Sequence, residues 1–191
     1  MNRLLLSSLI LASLSVPVAA QMQGGGTSIT GSQATDPTST FTRPANTTAY
    51  SSGNLIASST TAGSIVVPSF SLANYAGSAI IPKIGLATNA TTGWGVTLTM
   101  NLWTSAPTYT NGDGGAYAVA TSGAGKYYLG QFSCILIQFA DGASGECSPA
   151  YGNVVKVTLP SGVAIYWDLQ ATGTVTPISQ QTFTATARVL N

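Results

Sequence analysis

The sequence predicts an all-β protein, an antiparallel β-sandwich or jelly roll of about eight strands, and three observations carry that reading. Apolar and small polar side chains alternate with a period of two through much of the stretch from Tyr50 to Asn191. Clusters of Gly, Asn, Asp and Ser break the alternation at short intervals. Beyond the N-terminal segment, no sustained stretch carries a helical period.

The N-terminus comes first. Met1, Asn2 and Arg3 form a short polar, positively charged start; Leu4 to Leu14 is apolar apart from Ser7, Ser8 and Ser13; and Val18-Ala19-Ala20 offers small residues for cleavage. Residues 1–20 therefore read as a secretory signal peptide. The apolar run is shorter than the roughly 20 residues that span a bilayer, so no stable membrane anchor is expected, a retained anchor being the alternative. Residues 21–40 are Gly, Ser, Thr and Gln with few large apolar side chains, including Gly24-Gly25-Gly26. They predict a flexible arm, either a plain spacer or a segment that orders on a partner. A single β-sandwich domain is expected over residues 41–191.

Within that domain the alternation is plainest from Trp94 to Trp103, where Trp94, Val96, Leu98, Met100 and Leu102 share one face and Gly95, Thr97, Thr99 and Asn101 the other. Val163, Ile165, Trp167 and Leu169 alternate with Ala164, Tyr166, Asp168 and Gln170. Phe183, Ala185, Ala187 and Val189 alternate with Thr182, Thr184, Thr186 and Arg188. Ser64 to Leu72, Ala79 to Ala87, Tyr127 to Phe139 and Asn153 to Leu159 are strand-like as well. The Tyr127 to Phe139 run is nearly continuous in apolar residues, which predicts burial on both faces. Asn89 to Gly93, Asn111 to Gly115, Ser122 to Gly125, Asp141-Gly142 and Pro160-Ser161-Gly162 supply turn chemistry between strands. Pro68 and Pro82 inside strand-like runs mark edges or bulges.

Charge narrows function. The chain has six basic residues, five acidic residues and no histidine. Without Arg3 the cations are Arg43, Lys83, Lys126, Lys156 and Arg188, spread singly, so no basic stripe exists to follow a phosphate backbone and no nucleic-acid partner is expected. Cys134 and Cys147 in an exported chain predict one disulfide worth roughly 3 kcal/mol, buried free thiols being the alternative. Two thiols and no histidine fall short of a zinc site, and no cofactor is expected.

Candidate chemistry is sparse. Ser144 lies between glycines in Asp141-Gly142-Ala143-Ser144-Gly145, yet no histidine base is available and no strand-to-helix elbow follows. Glycosidase chemistry needs only two carboxylates, and Asp168 is the only acid well inside a predicted strand. Asn111-Gly112-Asp113-Gly114-Gly115 has part of the look of a calcium loop, but it offers only two side-chain oxygen donors, and a tight turn is the first expectation. Tyr109, Tyr117, Tyr127, Tyr128 and Tyr151 lie near turns, where they either cover the sheet faces or form a platform for sugar rings. Asn46-Thr47-Thr48 and Asn89-Ala90-Thr91 are glycosylation sequons that matter only in a glycosylating host. No catalytic site is assigned, and an enzyme is not expected.

Several stretches resemble small β-rich accessory proteins, capsid or tail decorations, of tailed bacteriophages and prophages. Phe41 to Ala57 (FTRPANTTAYSSGNLIA), Leu102 to Ala118 (LWTSAPTYTNGDGGAYA), Tyr128 to Phe132 (YLGQF) and Thr182 to Asn191 (TFTATARVLN) carry the likeness, which extends over residues 40 to 191. The resemblance implies a non-enzymatic virion protein that works through protein–protein contacts with other virion or surface-assembly proteins, as a homo-oligomer. A secreted or cell-surface module binding glycan or another surface ligand is the alternative. Virion proteins assemble in the cytoplasm, whereas this chain opens on an export signal. The expected location is accordingly the virion, or the periplasm or exterior where the signal is used.

Overall fold

The computed structural model describes residues 36–73, 77–122, 124–152, 154–159 and 164–190. The expected signal peptide and residues 21–35 of the expected arm lie outside the described residues. The fold is all-β and antiparallel, as the alternation predicts, with no α-helix among the described residues. Its strands are β1 (Thr38–Thr42), β2 (Leu55–Ile56), β3 (Ser69–Ser71), β4 (Gly77–Thr88), β5 (Thr97–Trp103), β6 (Tyr128–Phe139), β7 (Gly142–Pro149), β8 (Val155–Leu159), β9 (Ala164–Ala171) and β10 (Thr182–Leu190).

One hydrogen-bonded sheet runs β1-β10-β4-β7-β6-β5-β9-β2. β3 shares with β2 the free edge of β9, and β7 and β8 follow one another along the same edge of β4. The sheet curls until its first strand meets its seventh: Phe41 of β1 packs on Trp167 of β9 with ring centroids 5.5 Å apart. Inside the curl lies the core, built from the inward residues of every strand, among them Phe183, Ile84, Phe132, Leu98, Met100 and Trp167. Cys134 and Cys147 face each other across β6 and β7 inside this core and form the disulfide the sequence predicts.

Pro82 falls where both ladders of β4 break. The β8 pairing ends at Ile81, the β7 pairing begins at Ile84, and opposite them the β10 register shifts between Arg188 and Leu190. A residue with no N–H fits at such a break, as its position in the run predicts.

Four strand expectations need correction. Thr38 to Thr40, read as the end of the arm, belong to β1, because pairing with Thr184 to Thr186 supplies the order their composition lacks. Ser64 to Leu72 yields only the short β3, preceded by a 3₁₀ turn at Ala62–Ser64. β7, whose sequence GASGECSP has poor strand propensity, is missing from the predicted set. Its neighbours β4 and β6 impose the conformation, and Gly145 is required there, since a Cβ would lie 1.8 Å from the Ile135 carbonyl oxygen.

β6 is the fourth. It is buried on one face only, alternating from Phe132 onward, and Ile135, Ile137 and Phe139 point outward at 62, 60 and 50% exposure. The curl encloses one core, and among the described residues no second layer covers the sheet's outer face at this point.

Trp167 shows how much the inner face carries. It is fully buried, stacks on Phe70 at 6.0 Å and tilts against Phe41, while its indole N–H finds no acceptor among the described residues. Replacing Trp167 with Ala is expected to cost about 3 to 5 kcal/mol in urea denaturation. A loss under about 1 kcal/mol would remove Trp167 from the core.

Candidate functional site

The outer face is covered at its β5–β9 end by two irregular segments, residues 53–68 and the long connection 104–127 from β5 to β6. The second segment folds back on itself through Thr110 N to Ala118 O (3.0 Å) and Ala120 N to Thr108 O (2.7 Å). Leu55, Ala57 and Tyr109 form a small second apolar cluster beneath the two segments. Two buried polar centres fasten this cover.

The first is Arg43. Its side chain has no exposed surface, and its Nη2 lies 2.7 Å from Oδ2 of Asp113, which is equally buried. Tyr50 donates its hydroxyl to Asp113 Oδ1 at 2.6 Å and also accepts from Arg43 Nε, while the Ala57 N–H donates to the same carboxylate oxygen at 2.9 Å. The guanidinium reaches further, to Asn46 Oδ1 at 3.2 Å and the Ile178 carbonyl at 3.3 Å. Burial beside that carboxylate pushes the Tyr50 phenol far above its ordinary range. Gly112 lets the loop descend this deep, because a Cβ there would lie 1.9 Å from the Thr60 carbonyl oxygen.

These contacts dispose of the calcium reading. Asp113 turns both oxygens inward to Arg43, Tyr50 and the Ala57 amide, and Asn111 donates its amide to Ala116 O at 2.8 Å. The loop is a tight turn, as first expected, with Gly114 at φ 80°. Among the described residues no group of three or more His, Cys, Asp or Glu is arranged to hold a metal.

The second centre is Asp168 on β9. Period two puts it on the outer face, and the structure buries it there under the connection from β5 to β6. Oδ2 accepts from Trp103 Nε1 at 2.7 Å, Tyr109 at 2.8 Å and Tyr117 at 3.1 Å, while Oδ1 accepts from Asn101 Nδ2 at 2.9 Å. Burial raises the Asp168 carboxyl above the usual carboxylate range, and the four donors pull it partly back. Tyr109 and Tyr117 are pushed up strongly by burial and by the adjacent carboxylate.

Asp168 and Asp113 are thus clasps, each enclosed by donors from this chain. Ser144 sits on β7 opposite Ile137 in extended backbone, and Asp141 occupies the hairpin turn before it. Of the sequons, Asn46 is taken up by Arg43 and the Thr48 amide, and Asn89 accepts from the Thr182 N–H at 2.9 Å.

The five tyrosines divide. Tyr109 and Tyr117 cover the sheet and serve Asp168, whereas Tyr127, Tyr128 and Tyr151 remain exposed. Tyr128 owes its place to a bulge: Leu102 pairs with Gly130 but Trp103 pairs with Tyr128, so Leu129 is the extra residue. The shift turns Tyr128 to the outer face, against Trp103 at 4.9 Å.

What remains uncovered is the middle of the outer face. Ile135, Ile137 and Phe139 form an aliphatic-aromatic ridge on β6. Beside it lies a shallow trough of about 400 Å³ over Gly85, Ala87 and Gly145, walled on its far side by Thr184 and Thr186. Lys83 and Glu146 pair across this face at 2.7 Å while both stay half exposed. Continuous apolarity in β6 is the sequence signal for the ridge; reading it as double-sided burial hid the exposure.

No known family model matches this chain, and no curated protein matches it.

Two outcomes test the clasps. Asp113→Asn leaves the buried Arg43 charge without its counter-ion, and urea denaturation is expected to show a loss of about 3 to 5 kcal/mol. Asp168 supplies a pH signature. Its folded carboxyl holds a proton more tightly than the unfolded chain does, so the domain gains stability as pH falls from neutrality through the raised titration, and the gain ends near about pH 3.9. Melting temperatures measured from about pH 7 to about pH 5 are expected to rise in the wild type and to stay flat in Asp168→Asn.

Proposed function

We propose that this protein is a non-enzymatic structural protein of the phage virion type, a capsid or tail decoration that works by protein–protein contact through the open middle of its outer face. The observation that carries this reading is the ridge of Ile135, Ile137 and Phe139, which stays exposed although the same sheet buries every neighbouring inward side chain. Three large apolar groups along one strand, next to a trough floored by Gly85 and Ala87, offer a partner both a knob and a recess.

The resemblance to phage accessory proteins supports the same reading. Its two longest segments, Phe41 to Ala57 and Leu102 to Ala118, are the ones that Arg43, Tyr50 and Asp113 clasp together. The partners are other virion or surface-assembly proteins, with self-association through the same face. A specific contact needs roughly 1,200 Å² or more of total buried surface, within the reach of the four adjacent strands β10, β4, β7 and β6. Location follows from this role: on the particle, or at the cell exterior where the N-terminal segment directs export.

Ile135→Lys together with Ile137→Lys is the test. Both positions are exposed, so the variant is expected to melt like the wild type. Light scattering and co-sedimentation with particles from the native source should show association weakened at least about tenfold. A wild type that stays monomeric and ignores the particles, or a variant that associates equally well, would overturn the reading.

A further inference from the structure

The large apolar side chains left in solvent fall mainly into two groups of different chemistry. Ile135, Ile137 and Phe139 form the ridge; Tyr127, Tyr128, Tyr151 and Val154 gather at the opposite end of β6. Some seven residues of strand separate them, about 20 Å.

Between β6 and β8 at that end runs a groove of about 240 Å³. Tyr128, Tyr151, Gln131 and Lys156 are among the residues that line it. Gly130 and Val155 are also in its lining, and a Cβ on Gly130 would crowd Val155 at 3.1 Å. Tyr151 is 91% exposed and sits at φ 66°. Left-handed backbone is uncommon for a bulky residue, and strain of this sort concentrates at binding sites. Gly152 follows at φ 71°, so the chain makes two successive left-handed steps here.

Tyr128, in contrast, is braced. Trp103 packs behind it, and Trp103 is itself tied to Asp168 through its indole N–H at 2.7 Å. One aromatic is therefore fixed and the other projects, and an amide and an ammonium line the same groove.

We infer that this groove is a saccharide site that takes one neutral pyranose ring of a surface glycan, stacked against Tyr128 and Tyr151. Aromatic faces hold the apolar C–H side of a sugar, and the Gln131 amide and the Lys156 ammonium are suited to its hydroxyl groups, while the Tyr128 hydroxyl donates to Asn101 Oδ1 at 3.4 Å. A volume below the roughly 300–1,000 Å³ of drug-sized pockets suits a single ring. Among the described residues Lys156 is the only charge lining the groove, too little to hold a nucleic-acid backbone. The ridge is a separate surface, so this site stands or falls independently of the assembly role.

Saturation-transfer NMR on the full chain tests it, with the methyl glycosides of glucose, galactose, mannose and N-acetylglucosamine as neutral probes and a methyl sialoside as the acidic one. Two stacking contacts to one ring allow a dissociation constant on the order of 1 mM, so about 10 mM probe is sufficient. At least one neutral glycoside is expected to bind. Tyr151→Ala should weaken it at least about fivefold and Tyr151→Phe should restore it, because the ring face is what stacks. Ile137→Lys, on the separate ridge, should leave it within about threefold. Tyr151 is a surface side chain, so loss of folding does not confuse the outcome. Absence of binding by every neutral probe, binding indifferent to Tyr151→Ala, or binding of the sialoside alone with dependence on Lys156 would each overturn the inference.

Discussion

A guanidinium with no exposed surface is tolerable only beside a counter-ion, and from that constraint on Arg43 much of the outer surface follows. Asp113, which supplies the charge, lies at the tip of the connection between β5 and β6. Drawing the tip down to Arg43 lays both flanks of that connection over the sheet, so that Tyr109 and Tyr117 reach Asp168. Asp168 in turn holds Trp103, and Trp103 backs Tyr128. A buried ion pair is by itself weak evidence of stability. Here its effect is positional: it decides which part of the outer face is covered and which part stays open.

The inner face was legible in the sequence because one rule governs it. Period two names Leu98, Met100 and Leu102 on β5, and Ile165, Trp167 and Leu169 on β9, and the curled sheet buries all six. The same rule assigns Asn101, Trp103 and Asp168 to the opposite face, which is where they lie. It gives no hint that they are buried, because the cover comes from a Gly- and Thr-rich connection with no period of its own. β7 escaped for a related reason. Nothing local favours a strand in GASGECSP; its order comes from partners on both sides and from a disulfide whose pairing the count of two cysteines did make plain.

The polar clasps were partly legible. Arg43, Tyr50 and Asp113 are each visible in the sequence, but no spacing rule joins positions 63 and 70 residues apart. A buried triad of this kind is recognisable beforehand only by elimination. In a chain with so few charges, each Arg and Asp inside an otherwise apolar and glycine-rich setting must find a partner. Applied to Arg43, that argument leaves few candidates among the five acids, yet it needs the fold to choose one.

The open middle of the outer face then poses an energetic question of its own. Fully burying a side chain such as Ile or Phe is worth about 1.5 to 3 kcal/mol, and three of them on β6 forgo most of that in the isolated domain. Nothing in the pairing of β6 demands apolar residues there, since β5 and β10 present threonines on the same face. Lys83 and Glu146 stand close by and keep their charges in water, so the face is not apolar by default. A strand interior that could carry threonine and carries isoleucine instead gains stability only when another surface covers it. The same reasoning separates the two ends of β6. Aliphatic side chains reward dry, extensive contact, whereas a braced tyrosine and a projecting one, with polar groups in the same lining, favour a small ligand that brings both C–H faces and hydroxyls.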